Sequence, residues 1–293
     1  MNSSQPSISE FLALSDREIA QYAPETVVLG AGGTRRRAVL AGIDPTSEEY
    51  PAWTRLQMVA LLDLLFQHGV KHIFTAVMVD GNFLEETEGY REHLYRWIDW
   101  GIGGEEALNE YQERGWQARL IGAEFVPALQ ATANRLKQST PKRKSKCVWF
   151  TITPSSEVAW DLVFQRAMAK KAYTYRDAIR AIYGQDIPVD NSLLLDFGKP
   201  QVFTSTVPPL LICKMHCYWR QHLGYDLDVN TLRHIFYDFA FNRRTWMTDK
   251  SGRADAVHEF EDAYTEPPVV GMGTRLGPFW YPAAIPVVPV NGR

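Results

Sequence analysis

The chain has 293 residues, is 45% hydrophobic and 22% charged, and carries a net charge of −3. That length allows one large domain with a substantial core, and the charge excludes a protein built on a strong basic field for nucleic acid. No apolar run reaches the roughly 18–20 residues of a membrane span, and the N-terminus MNSSQPSISE lacks the cationic-then-apolar order of a secretory signal.

In chain order, residues 7–22 read as two short helical pieces, the second started by Ser15 with Asp16 and Glu18 behind it. TVVL, at 26–29, is a short buried strand, and the glycines of 30–33 form a loop after it. A long helix is expected over 48–68. Pro51 suits its first turn, Leu56, Val59, Ala60, Leu62, Leu64, Leu65 and Phe66 make an apolar face, and Gly69 stops it. The run 72–79 is a second strand ending at the turn Asp80-Gly81-Asn82. Helices follow at 90–100 and 105–114, a strand at 116–122, a helix at 127–138, then the basic loop STPKRKSK and a strand at 147–153.

Ser155 or Ser156 caps a helix that runs to Lys170, and Thr174, with Asp177 three residues on, caps another. Strands are expected at 192–198 and 208–215, and a helix at 228–241 with Val229, Leu232, Ile235, Phe236 and Phe239 on its apolar side. From Pro267 the chain is rich in Gly and Pro and reads as irregular. Its Phe279, Trp280 and Tyr281 imply that 267–293 packs on the body, near the active site. Strands alternating with helices predict an α/β fold: one domain over 1–293, with a mainly parallel central sheet of about six strands flanked by helices. Ligands of such sheets bind beyond the carboxyl ends of the strands. The segments 30–37 and 80–82 both fall at such ends and should line one crevice.

GAGGTRRR, residues 30–37, carries the strongest chemistry. Glycines let successive N–H groups approach a ligand closely, and guanidinium forks match phosphate oxygens. Neighbouring arginines cannot all face one way, so one or two of Arg35, Arg36 and Arg37 reach the ligand. The stretch fits neither GxGxxG nor GxxxxGK[ST], and a glycine turn before a solvated basic patch is the competing reading. Asp80 is a candidate carboxylate for Mg²⁺ or for a base, against a plain DGN turn. Tyr50, Tyr90, Trp280 and Tyr281 are candidates for an aromatic wall, although aromatics are more often core. No GxSxG elbow is present. Cys213, His216 and Cys217 have no second cluster near them in the sequence to complete a four-ligand zinc site, so the three cysteines are expected to be reduced and buried in a cytoplasmic protein.

The order of these pieces resembles the cis-prenyltransferases. GGTRRR stands in the place of that family's first loop. YPAWTRLQMVALLDLLFQHGVKHIFTAVM stands for its long helix and second strand, and LLLDFGKPQVF for its late strand and phosphate-contacting stretch. The match is nearer to the non-elongating branch that makes tuberculosinol and kolavelool. It rests on GTRR, on Leu65, Phe66, His68 and Gly69, on Phe197-Gly198, on LRHIFYD and on the glycine-rich C-terminal segment with Trp280.

The resemblance implies ionisation of a bicyclic diterpenyl diphosphate, Mg²⁺ assistance, capture of the allylic cation by water, and a homodimer. It implies that Gly32, Gly33, Thr34, Arg35 and Arg36 hold the diphosphate and that Tyr50, Tyr90, Asp80 and Trp280 serve the chemistry. The chain departs from the family at Gly32, where an aspartate is usual. It also lacks the paired late arginines, Lys199 being the nearest cation. These departures keep two other readings open: a non-catalytic partner subunit, and a transferase whose nucleophile is not water.

Overall fold

The computed structural model describes residues 6–141, 146–197, 201–213, 215–220 and 223–242, together with the backbone of 274–276 and 279–281; structural statements below concern these residues. Two short helices open the chain, α1 (Ile8–Leu12) and α2 (Asp16–Ile19), each started by a serine that accepts from the third backbone N–H while the glutamate there reaches back. Strand β1 (Thr26–Leu29) leads into α3 (Thr34–Leu40), then α4 (Glu49–Gln67) and β2 (His72–Met78). Next come α5 (Asp80–Leu84), α6 (Tyr90–Gly103), α7 (Glu105–Arg114), β3 (Gln117–Ile121), α8 (Gln130–Ser139) and β4 (Cys147–Ile152). The second half holds α9 (Ser156–Ala169), α10 (Tyr175–Tyr183), β5 (Ser192–Phe197), β6 (Met215–Arg220) and α11 (Val229–Tyr237). A hairpin of β7 (Thr274–Leu276) and β8 (Phe279–Tyr281) completes the described chain.

Six strands form one parallel sheet in the order β3-β4-β2-β1-β5-β6. Every residue of β1 is buried, as a central parallel strand covered on both faces requires. Side chains alternate between two cores. Val27 and Leu29 join Leu62, Leu65, Ile98 and Phe236 on the side of α4, α6 and α11, while Val28 joins Phe74, Trp149 and Leu194 on the side of α9 and α10. Phe74 stacks on Trp149 with centroids 5.6 Å apart, and the Trp149 Nε1–H donates to His72 Nδ1 at 3.3 Å. Burial pushes the His72 imidazole down to about 4.

The chain crosses from one side of β1 to the other between β4 and β5. The carboxyl ends of β1, β2 and β5 therefore border the point where the strand order reverses, the usual place for a ligand in such sheets.

Four expectations are corrected. The sixth strand is not at 208–215: Pro209–Leu211 is a 3-10 turn and β6 begins at Met215. Prolines at 208 and 209 offer no N–H to a ladder, so the apolar run PPLL cannot be an inner strand. Leu56, assigned to the apolar face of the long helix, is 58% exposed, and Met58 and Leu61 are buried instead. Of the cysteines only Cys147 is buried; Cys213 is exposed in the link before β6, and Cys217 is half-buried. The tail expected to be irregular includes the β7–β8 pair, with Arg275 opposite Trp280.

Candidate active site

The three glycines after β1 have separate physical reasons. A Cβ on Gly30 would stand 2.0 Å from Asp196 Oδ1, and one on Gly32 would stand 3.0 Å from the Phe197 ring. Gly33, at φ +82°, starts α3 in the left-handed conformation that glycine takes without strain. The Gly32 carbonyl accepts from the Gly224 N–H at 2.7 Å, so the segment after β6 straps the loop. Arg220 anchors the strap, donating to the carbonyls of Gly224 at 2.7 Å and Asp226 at 2.8 Å.

The arginines sit on α3, not in the loop, and the helical turn separates them. Arg35 lies over the Tyr90 ring at 5.6 Å and Arg36 over the Phe197 ring at 5.3 Å. Arg37 turns away to pair with Asp226 at 3.1 Å. Arg35 and Arg36 line a cleft of about 680 Å³, and Arg37 does not. That volume lies within the usual range for small-molecule sites.

Gly32, Gly33, Thr34, Tyr50 and Tyr90 share this cleft. The Tyr50 hydroxyl is 2.9 Å from Thr34 Oγ1, and its ring meets the edge of Trp97. The Tyr90 hydroxyl accepts from Asn82 Nδ2 at 2.8 Å. An apolar stretch of the wall comes from Met58, Val77, Leu94, Trp97, Ile98 and Ile102, contributed by α4, β2 and α6. The cleft is thus cationic at one end and greasy along its length.

Asp80 does not line the cleft. As the first residue of α5, its carboxylate accepts from the Gly81 N–H at 2.9 Å and from the Ser205 hydroxyl at 3.4 Å. Asn82 takes the wall position instead, because the DGN stretch coils into a helix rather than ending in an open turn. The Trp280 side chain and Lys199 lie outside the described residues.

Residues missed in the sequence complete the wall. Asp196, near the end of β5, is the carboxylate lining the cleft among the described residues. Burial raises its carboxyl above the usual range, against a hydrogen bond from the Phe197 N–H and the nearby Arg220 charge. Its sequence signal was a charge in an otherwise apolar run, LLLDF, at a strand's carboxyl end. Arg55 also faces the cleft; it is 7% exposed, pairs with Glu110 at 2.8 Å and lies over the Trp100 ring. Burial, with Tyr50 beside it, pushes the Tyr225 phenol upward, so it stays neutral in the working range.

No family model matches the chain. It is 40% identical over 277 residues to the (+)-kolavelool synthase of Herpetosiphon aurantiacus, spanning 94% of this chain and 96% of that protein. It is 23% identical over 291 residues to the tuberculosinyl adenosine transferase of Mycobacterium tuberculosis, spanning 93% and 97%. Two solved structures share the fold. Lavandulyl diphosphate synthase from Lavandula x intermedia, in complex with dimethylallyl diphosphate, has a TM-score of 0.60 at 14% identity, covering 76% of this chain and 98% of that one. A probable undecaprenyl diphosphate synthase from Campylobacter jejuni has a TM-score of 0.55 at 15% identity, covering 75% and 96%. By its identity to the first relative over nearly its whole length, and by its fold, the chain belongs to the kolavelool and tuberculosinol synthase branch of the cis-prenyltransferase superfamily.

Proposed function

We propose that the protein is a diterpene synthase that ionises a bicyclic diterpenyl diphosphate and quenches the allylic cation with water, giving kolavelool. The observation that carries this reading is the 40% identity to a kolavelool synthase over 94% of the chain. The cleft supports it. Thr34, Arg35 and Arg36 receive the diphosphate head, and the wall of Met58, Leu94 and Ile98 receives the decalin. Positive charge at the leaving-group end lowers the barrier to C–O cleavage. Tyr50, Tyr90 and Trp97 line the cleft, and a ring face turned to the cation is worth about 0.5–2 kcal/mol when water is excluded. In the balanced step the C–O pair leaves with the diphosphate, the water oxygen bonds to the carbocation, and the proton released passes to the departing diphosphate.

Mg²⁺ is the proposed cofactor; when bound it neutralises the leaving diphosphate. Among the described residues no three His, Cys, Asp or Glu side chains gather into a metal cluster. A cation that arrives with the diphosphate suits that donor set, since Mg²⁺ keeps waters and substrate oxygens around it. No described helix is long and apolar enough to cross a membrane. We assign the protein to the cytoplasm on its three free cysteines and to a homodimer on the family resemblance.

The test is incubation of purified protein and Mg²⁺ with kolavenyl, halimadienyl or geranylgeranyl diphosphate, followed by analysis of hexane extracts. A tertiary diterpene alcohol from kolavenyl diphosphate is expected; no alcohol from any of the three overturns the reading. The name of the 23% relative motivates a second reading, transfer of the terpenyl group to adenosine. Adding adenosine to the same assay and finding a terpenyl nucleoside in place of the alcohol would favour it.

A further inference from the structure

A half-buried carboxylate beside an anion site is an electrostatic conflict, and Asp196 is in that position. It follows the fully buried Leu195 in β5 and precedes Phe197, whose ring lies under Arg36. Its carboxylate occupies the space a side chain on Gly30 would need, with Oδ1 at 2.0 Å and Cγ at 2.4 Å from the Cβ position. The group is therefore delivered from β5 to the exit of β1, against the backbone where the glycine loop begins. Oδ1 accepts the Phe197 N–H at 2.7 Å.

Among the described residues the Arg220 charge opposes this conflict only in part. Arg220 donates to two carbonyls of the strap and forms no ion pair with Asp196 within 4.0 Å. A diphosphate entering the loop would bring more negative charge to a carboxylate that burial already disfavours. A cation shared by the carboxylate and the diphosphate removes the repulsion, and Mg²⁺ habitually takes one or two carboxylates together with substrate phosphates.

We propose that Asp196 is the carboxylate through which this site takes a divalent cation together with the diphosphate. The proposal rests on the reading of the cleft as a diphosphate site. Asp80, the sequence's candidate for the role, is outside the cleft wall and occupied by Gly81 and Ser205. Gly30 is glycine because the incoming carboxylate fills its side-chain space.

The test is calorimetric titration of inorganic pyrophosphate into the full-length protein, in Mg²⁺ and in EDTA. The wild type is expected to bind about tenfold or more tightly with Mg²⁺. Asp196→Asn keeps the oxygen that accepts the Phe197 N–H and removes the charge. It should abolish the Mg²⁺ enhancement and bind pyrophosphate in EDTA more tightly than the wild type, because the repulsion is gone. An undiminished Mg²⁺ enhancement in Asp196→Asn overturns the proposal. If that variant does not fold, Gly30→Ala decides: its methyl must displace the carboxylate, so a reduced enhancement supports the assignment and an unchanged one overturns it. A wild type that binds no pyrophosphate in either condition sinks the diphosphate reading and this proposal together. Binding that is equally Mg²⁺-dependent in wild type and variants sinks only the role of Asp196.

Discussion

Three consecutive arginines have three different fates, and the difference is testable. Arg35 and Arg36 are held over rings in the cleft wall, where their planar forks remain available to a ligand, while Arg37 is neutralised by Asp226 on the outside. Removing donors aimed at developing charge typically lowers turnover about 10²–10³-fold. The double change Arg35→Ala, Arg36→Ala is therefore expected to lower kcat/KM for the diterpenyl diphosphate by at least that factor. Arg37→Ala loses only a half-exposed pair, worth about 0–1 kcal/mol, and should leave kcat/KM within about threefold. Equal losses in both variants would mean that the cleft does not sort the arginines as described. At this scale the sequence was legible where a residue type declares its chemistry. It could separate neighbouring arginines in principle, but not say which one turns away, because that depends on Asp226 arriving from the strap. Asp196 showed in the sequence only as a charge in an apolar run, for the same reason. Its importance comes from Gly30, 166 residues earlier, and only the β1–β5 pairing brings the two together.

At the level of elements, periodicity and capping residues located most helices and five of the six main strands, since those signals are local. They misplaced β6, where two prolines precede an apolar run, and they read DGN as a turn although it begins α5. They also could not show what holds adjacent strands together, and the β2–β4 pair has a pH-dependent consequence. His72 is buried and accepts the Trp149 Nε1–H, which requires a neutral ring, and its pKa is pushed down to about 4 from 6.5. Between those values the unfolded chain binds a proton that the folded chain does not. Stability from this group is thus fully present above 6.5, declines as pH falls toward 4, and changes no further below it. The full effect is of order 3 kcal/mol. His72→Asn retains an acceptor and cannot be protonated. Urea midpoints measured at about pH 7 and about pH 4 should show a smaller acid-induced loss in His72→Asn than in the wild type. Identical losses would show that His72 does not titrate across unfolding.

For the whole molecule, the two faces of the sheet divide the work. The cleft lies on the face of α4 and α6, at the reversal of strand order, and its position follows from topology. The opposite face is covered by α9 and α10, whose inner sides pack on Val28, Phe74 and Trp149. The outer side of α9 presents Trp160, Phe164 and Met168, at intervals of four residues, with Trp160 stacked on Phe164 at 6.0 Å; Met168 is 71% exposed. A helix that is apolar on its solvent side as well as its core side is the pattern of a surface meant to be covered. A second copy of the chain is the occupant the family resemblance implies, and pairing across this face would leave both clefts open to substrate. Trp160→Glu with Phe164→Lys places charge in the middle of the stripe without touching the buried Ala159 and Val163. Light scattering should report about twice 33.4 kDa for the wild type and the single-chain mass for the double variant, with the far-ultraviolet spectrum unchanged. A variant that still sediments as a dimer would move the interface off α9. A wild type that is already monomeric would remove the homodimer.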